Sequence, residues 1–292
     1  MRHAISRDLF AKENEDGLFD VQTAYGYGGP IFIGEWSANE KKHMLLDVNK
    51  FLKRTNVVAE FIRTDPDYCD KDIFQSAGYE LEIVRTNVES DHSSITYDNS
   101  GKRNQRTAQK AGLTFLCLEK PEIEDIKQFY RLYHMTAERL SMDPIYRFDL
   151  KYFMSLMTLS NVRLILIYAP SISLPIAGSI LFLGDVSSFY FLGASDMTFR
   201  HFRPNDYQYL AMANTSKEYG SKKIVWGGGT SNNPKDSLFN FKKHYGNIYT
   251  PVHIACRIID KNNYDVICDK WRAKNALEHV AKTNSRFLKY RF

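Results

Sequence analysis

Val225-Trp226-Gly227-Gly228-Gly229-Thr230-Ser231-Asn232-Asn233-Pro234-Lys235-Asp236-Ser237-Leu238-Phe239-Asn240-Phe241-Lys242-Lys243-His244-Tyr245-Gly246 is the stretch on which the fold turns. A strand over 223–226 runs into three glycines, a polar turn and a short helix over 235–245 that ends at Gly246. Leu238, Phe241 and Tyr245 recur at helical spacing and are expected to anchor that helix in a core. Consecutive glycines carry no side chain to pack; they allow positive φ or close approach of backbone to another group. Two readings stand together here: an awkward strand-to-helix turn, and a backbone wall of a cleft into which Lys242 or Lys243 reaches.

Working back from this stretch, 204–219 has the pattern of a helix opened by Pro204 and stopped by Gly220. Before it come three short strands in succession, 162–168, 175–183 and 187–192, the last two joined at Gly184-Asp185. Still earlier are a strand over 113–118, a helix over 121–140 and a helix over 149–159. Ile123, Ile126, Phe129, Tyr130, Tyr133 and Ala137 make the apolar stripe of the first of these helices. With a strand over 251–259, the order is β-α-α-β-β-β-α-β-α-β. An ordinary α/β sheet with parallel crossovers is the runner-up, and three short-linked strands in mid-order argue against a doubly wound sheet, whose strands need helical crossovers. The order resembles that of the GNAT N-acetyltransferases.

The first hundred residues hold a Gly-rich loop, Tyr25-Gly26-Tyr27-Gly28-Gly29-Pro30, running into a strand-like Ile31-Phe32-Ile33. Ser37 caps a helix reaching Arg54, with Met44, Leu45, Val48, Phe51 and Leu52 as its apolar face; strands follow over 57–63 and 79–88. The polar run 89–101 reads as the domain boundary. Next comes a short basic helix closed by Gly112, with Arg103, Arg106 and Lys110 on one face: a solvated surface or a phosphate-binding one. A helical tail from Asn263 to Lys289 needs burial for Trp271, Leu277, Val280 and Phe287.

The chain of 292 residues, 43% hydrophobic and 25% charged, is in the range of globular proteins with one large or two ordinary domains. A net charge of +5 suits an anionic small molecule or nucleic acid and selects neither. Cys69, Cys117, Cys256 and Cys268 show no metal or redox spacing; Cys117 and Cys256 read as core residues, and no metal site is expected. The first residues form no apolar signal region and no run reaches transmembrane length, so a cytoplasmic location is expected.

Several segments, in shared order from Tyr25 to Gly246, resemble the Fem family of transferases. They are the loop ending Gly29-Pro30, the basic run Arg103-Asn104-Gln105-Arg106 with Ala108, Lys110 and Gly112, the helix residues Phe129-Tyr130, Tyr133, Met135-Thr136 and Arg139 with Tyr146 and Tyr152-Phe153, and Gly227-Gly228-Gly229 through Asp236, Phe241-Lys242 and Gly246. The resemblance implies an α/β (α+β) chain of tandem GNAT-like acyltransferase domains, with mixed central sheets flanked by helices. A partial N-terminal domain would occupy 1–100, a C-terminal GNAT domain 101–262, and the tail 263–292 would pack back on the first domain. It also implies acyl transfer to an amine. Two departures separate the chain from the family's peptidoglycan branch: Gly28 stands where that branch has a basic residue, and no helical-hairpin insertion is present.

Such chemistry needs an anchored donor, a deprotonated amine and a stabilised oxyanion. By the match, Lys242 is the cleft cation, and Asp236 either accepts from the acceptor amine or caps its helix. Tyr25, Tyr27, Gly29, Arg139, Tyr146, Gly228 and Gly229 are expected to contact the acceptor. Arg203, Asn205 and Asp206, at the start of the 204–219 helix, are expected to hold donor phosphates on free amides, although the full Gly-rich loop of CoA-binding members is missing. The expected co-substrate is acyl-CoA, with acetyl-CoA foremost, and the acceptor a nucleotide-linked amino sugar of envelope polysaccharide. The alternatives are aminoacyl-tRNA as donor to a peptidoglycan precursor, and a non-catalytic binding module. Oligomeric state is not legible.

Overall fold

The structure, a computed structural model, describes residues 1–9, 17–24, 26–94 and 97–292, apart from the side chain of Ile145. The expected wall residue Tyr25 lies outside the described residues. In chain order the elements are β1 (Arg2–Ala4), β2 (Phe19–Gln22), α1 (Ala38–Arg54), β3 (Val57–Arg63), α2 (Lys71–Ser76), β4 (Glu80–Asp91), α3 (Asn99–Lys110) and β5 (Thr114–Leu118). They continue with α4 (Ile123–Arg139), α5 (Leu150–Leu156), β6 (Val162–Tyr168), β7 (Ala177–Phe182), β8 (Ser187–Ser195), α6 (Pro204–Tyr219), β9 (Lys223–Gly227), α7 (Ser237–Lys243), β10 (Ile248–Ile258), α8 (Lys261–Lys274) and α9 (Leu277–Thr283).

The chain divides into two compact units, residues 1–85 with 251–292, and residues 86–250. The sequence places the joins near 100 and 262. They fall instead inside the long strands β4 and β10, so the polar run read as a boundary lies in the second unit, where Asp98 caps α3 by accepting from the Gly101 amide (2.8 Å). A strand carries no composition change where it passes from one unit to the next, which is why the joins are silent in the sequence.

In the second unit β4 pairs antiparallel with β9, β9 parallel with β8, and β8, β7, β6 and β5 follow as antiparallel neighbours. From β5 onward the elements come in the expected GNAT order. Alternation along β6 builds both sides of this sheet. Leu164 and Leu166 face a cluster with Phe129, Leu132 and Tyr133 of α4 and Phe153 of α5. Ile165 and Ile167 face another with Tyr209 and Met212 of α6 and Trp226 of β9. Cys117 is exposed rather than in the core, because β5 is an edge strand with a single partner.

In the first unit β1 pairs antiparallel with β2, β2 parallel with β3, and β3 antiparallel with β10. Ser37 closes a capping box with Glu40 at the start of α1. Ile31-Phe32-Ile33 is not a strand; in the loop before it Gly28 forms a bridge to Thr64. After the unit join, Tyr264, Ile267, Cys268 and Trp271 of α8 share a core with Ile5, Leu18, Val58 and Ala59. Leu277, expected to be buried, is 87% exposed at the first position of α9, while Val280 one turn on takes the core-facing place. Arg291 ties the tail down: Nε pairs with buried Asp20 (2.8 Å), and its terminal nitrogens donate to the His3 and Ala4 carbonyls.

Candidate functional site

Two parallel strands that separate make room for a ligand, and β8 and β9 do so. Their pairing covers Ser187–Phe189 against Lys223–Val225. β8 then runs on to Ser195 and β9 to Gly227, with no further pairing between them among the described residues. A bulge opposite Ile180 and Leu181 re-aims β8 at the point of parting. Beyond Phe189 and Val225 the facing edges of β8 and β9 no longer pair with each other, which leaves room for a group between them.

Lys242 lies at this place. It is buried, its Nζ donates to the Gly228 carbonyl (2.8 Å), and it stands 5.5 Å from the centroid of the Tyr190 ring. Lys243 is exposed, its ammonium 5.8 Å from the Phe239 ring and 6.0 Å from that of Tyr249. The two neighbours therefore point apart, and the inward one is the residue matched to the Fem pattern. The anchors of α7 differ from expectation: Tyr245 is buried and Phe241 and Phe239 pack on the core, but Leu238 is 39% exposed. The helix starts at Ser237 rather than 235, capped by Asp236, and this phase turns Phe239 inward.

The glycine run serves close approach within its own loop. Gly227 has φ +75°, and a Cβ there would stand 3.3 Å from Lys242 Nζ. A side chain at Gly229 would overlap the Asp236 carboxylate. Asp236 itself is occupied: Oδ1 accepts from the Phe239 amide (2.9 Å), and Oδ2 from the Thr230 hydroxyl (2.5 Å) and amide (3.0 Å) and the Ser231 amide (3.2 Å). The Thr230 hydroxyl, with these amides, lowers its pKa to about 2. Asp236 thus holds the glycine loop to α7, and the capping alternative is the one its geometry fits.

Under the parted strands lies an aromatic floor. Tyr209 stands 4.7 Å from Trp226, 4.5 Å from Tyr245 and 5.6 Å from Tyr190 between ring centroids. Burial pushes the Tyr190 phenol up to about 12 and Tyr209 well above its ordinary value. The Tyr245 hydroxyl donates to Asp206 Oδ1 (2.5 Å), which also accepts from Asn104 Nδ2 (2.9 Å). Burial, then the Asp206 charge, raises the Tyr245 phenol. Burial thus favours the neutral form of all three phenols.

Next to this floor a cleft of about 460 Å³ opens at the start of α6, lined among others by Arg200, His201, Arg203, Asn205, Asp206 and Phe241. Arg203 has φ +61° and turns the chain into the helix, whose first-turn amides have no helical partners and whose first residues, Pro204, Asn205 and Asp206, line the cleft. The three expected donor-site residues thus meet in one cavity. Asn205 also accepts from Gln208 (3.0 Å). Asp206 is more buried than its expected role implies, because it is the acceptor for Tyr245 and Asn104.

Other expected contacts lie elsewhere. Arg139 ends α4 and is exposed; Tyr146, 40% exposed, sits in a 3-10 turn whose carbonyl accepts from the Tyr133 hydroxyl (2.6 Å). Neither lines the cleft at α6. In the first unit Tyr27 has the Arg85 guanidinium 5.9 Å from its ring, and Gly29 (φ +108°) lines a separate cleft of about 330 Å³. Tyr190 and Tyr209 carry no signal singled out from sequence, and Asn104 enters there only within the basic run 103–106. The i, i+3 pair Asp206 and Tyr209, on one face of α6, was the signal available.

No family model and no curated protein matches the chain. Among solved structures, FemX shares its fold with a TM-score of 0.69 and 16% identity, over 91% of this chain and 90% of FemX. L-PGS from Bacillus licheniformis superposes with a TM-score of 0.55 and 14% identity over 73% of each chain. A conserved protein of unknown function from Bacteroides thetaiotaomicron gives 0.56 and 9%, over 74% of this chain and 75% of that one. The fold is therefore the mixed α/β fold of FemX along nearly the whole chain. Among the described residues no group of His, Cys, Asp or Glu is placed to hold a metal, and no helix is long and apolar enough to cross a membrane.

Proposed function

We propose that the protein is a Fem-type transferase that moves an acyl group to an amine. The observation that carries this is the buried Lys242 ammonium at the parting of β8 and β9, beside a cleft that presents the start of α6. In the reaction the donor's phosphates rest on the first-turn amides of α6 with Arg203 alongside. The acyl carbonyl lies between the parted strands. As the deprotonated amine attacks, charge develops on the carbonyl oxygen and Lys242 with amides of β8 stabilises it; the tetrahedral intermediate then collapses, the thioester carbon–sulfur bond breaks, and the departing thiolate takes up the proton lost by the amine nitrogen. Tyr190 and the Gly228 carbonyl hold the ammonium until then. Asp236 keeps the glycine loop in place. The preferred donor is acetyl-CoA or another acyl-CoA, and the preferred acceptor an amino sugar on a nucleotide used in envelope polysaccharide, with Arg139, Tyr146, Tyr27 and Gly29 as acceptor contacts.

A second reading, aminoacyl-tRNA as donor, is favoured by one feature. Lys102, Arg103, Arg106 and Lys110 line one outward face of α3 around a groove of about 440 Å³, and none has an ion-pair partner among the described residues. A phosphate backbone suits such a face. Thermal-shift titration with acetyl-CoA and with charged tRNA, followed by mass spectrometry of an amino-sugar acceptor, separates the readings. Stabilisation by acetyl-CoA supports the first and stabilisation by tRNA alone the second. Stabilisation by neither, with no acyl transfer, overturns both.

A further inference from the structure

The cleft at the start of α6 and the Lys242 ammonium do not connect in the resting protein. Lys242, Gly228 and Tyr190 are absent from the walls of that cleft. Beside the ammonium stands the Tyr190 ring. Its hydroxyl end lies against Gly193 of β8, where a Cβ would overlap the hydroxyl and stand 2.9 Å from the ring carbon that bears it. Its face lies 5.5 Å from Lys242 Nζ, which the Gly228 carbonyl holds just past the end of β9. The ring thus reaches from the part of β8 that no longer pairs with β9 toward the end of β9. Only glycine at 193 permits this, because a side chain there would push the ring away.

Tyr190 is also held less firmly than the aromatic groups around it. Trp226 Nε1 donates to the Ser90 hydroxyl (2.7 Å) and the Tyr245 carbonyl (3.1 Å), and the Tyr245 hydroxyl donates to Asp206 (2.5 Å). Tyr209 is buried among the rings of Trp226, Tyr245 and Phe241, at 4.7, 4.5 and 5.4 Å. Tyr190 is only half-buried. Among the described residues it meets one ring, that of Tyr209 at 5.6 Å, and its hydroxyl has no hydrogen-bond partner. Its departure therefore breaks no hydrogen bond, and the Lys242 ammonium keeps the Gly228 carbonyl when the ring leaves.

We propose that Tyr190 is a displaceable plug: the acyl group of the donor reaches Lys242 only when this ring has swung off Gly193. This rests on the transferase reading above. The apparent donor affinity is then lowered in proportion to the fraction of molecules whose ring is away. The test titrates the full chain with acetyl-CoA and with charged tRNA by calorimetry. It reads Kd rather than turnover, because the ring also faces the Lys242 ammonium. Gly193→Ala evicts the ring with its new methyl group, and Tyr190→Leu removes the ring. Each variant should bind the donor roughly tenfold more tightly than wild type, the gain expected when a plug closed about nine-tenths of the time is lost. Gly193→Ala added to Tyr190→Leu should change Kd little further, since no ring is left to evict. Thermal melting checks that each variant is folded. Tyr190→Leu keeps an apolar side chain and creates no clash, so it decides the matter if Gly193→Ala does not fold. Unchanged or weaker donor binding by the folded variants overturns the plug and leaves the transferase reading standing. So does a full further gain from Gly193→Ala in the Tyr190→Leu background. If wild type and variants bind neither donor, both the plug and the transferase reading fall.

Discussion

Replacing Lys242 by methionine keeps an unbranched side chain of similar reach and removes the charge. In the resting protein the change deletes the 2.8 Å bond to the Gly228 carbonyl and the contact with the Tyr190 ring. A hydrogen bond from a charged donor contributes about 1.5–3 kcal/mol and a cation over an aromatic ring about 0.5–2 kcal/mol. The desolvation cost of burying an ammonium is relieved at the same time, so the net loss of stability is expected to be about 1–2 kcal/mol. Catalysis should suffer more. Loss of one oxyanion donor costs about 2.7 kcal/mol or more, a roughly hundredfold fall in kcat/KM. Lys243→Met provides the internal control, since that ammonium is exposed and contributes at most about 1 kcal/mol through its rings. The assay is acyl transfer at saturating acceptor with donor varied, paired with urea unfolding of each variant. Equal losses of activity in the two variants would refute the argument. So would a fall at Lys242 that merely follows the loss of folded protein.

Other outcomes follow from the same geometry. Arg203→Ala should raise the donor KM about tenfold, as loss of one charge-assisted hydrogen bond implies, and leave kcat nearly unchanged; normal donor binding would remove Arg203 from the site. The folded-state pKa of Asp236 is depressed to about 2, so its stabilising effect is complete above its unfolded value near about 4 and fades as pH falls toward about 2. The melting-temperature gap between wild type and Asp236→Asn should therefore be full at neutral pH and close across that acid window; a gap that persists at pH of about 2 would contradict this. Tyr245→Phe removes a donor from buried Asp206 and should cost about 1–3 kcal/mol in chemical unfolding, which an unchanged midpoint would exclude. Ending the chain near Lys261 should yield insoluble protein because Trp271 and Arg291 are lost; a soluble, active truncation would disprove it.

Local signals were legible and long-range ones were not. Ser37 with Glu40, and Pro204 with Gly220, mark their helices by chemistry within a few residues, and those bounds hold. The strand β6 reads as a buried run because both its faces are covered. That Lys242 and Lys243 diverge follows from helical phase alone. The parting of β8 and β9 could not be read, because pairing length between strands leaves no mark in either one. The Asp206 carboxylate joins Tyr245 from 39 residues away and Asn104 from 102, and no spacing rule reaches so far. Leu238 was misplaced because the helix phase is set by Asp236, whose oxygens engage Thr230 and Ser231 across the loop. Met44, Val48 and Phe51 read with Leu45 as one apolar face of α1 because periodicity marks a face without saying what covers it, and they are exposed.

The split make-up of the first unit has a consequence for synthesis. Its core needs Ile5, Leu18 and Val58 from the early chain and Ile267, Trp271 and Leu288 from the late chain. All of the second unit, residues 86–250, is made between them. On the ribosome the second unit can therefore close its core while the first still lacks a wall. The early strands must wait with apolar surface uncovered for the tail that completes them, and Arg291 reaches Asp20 only after all of the second unit has been made. The order of maturation is thus written into the connectivity: the unit holding Lys242 is finished before the one that begins the chain.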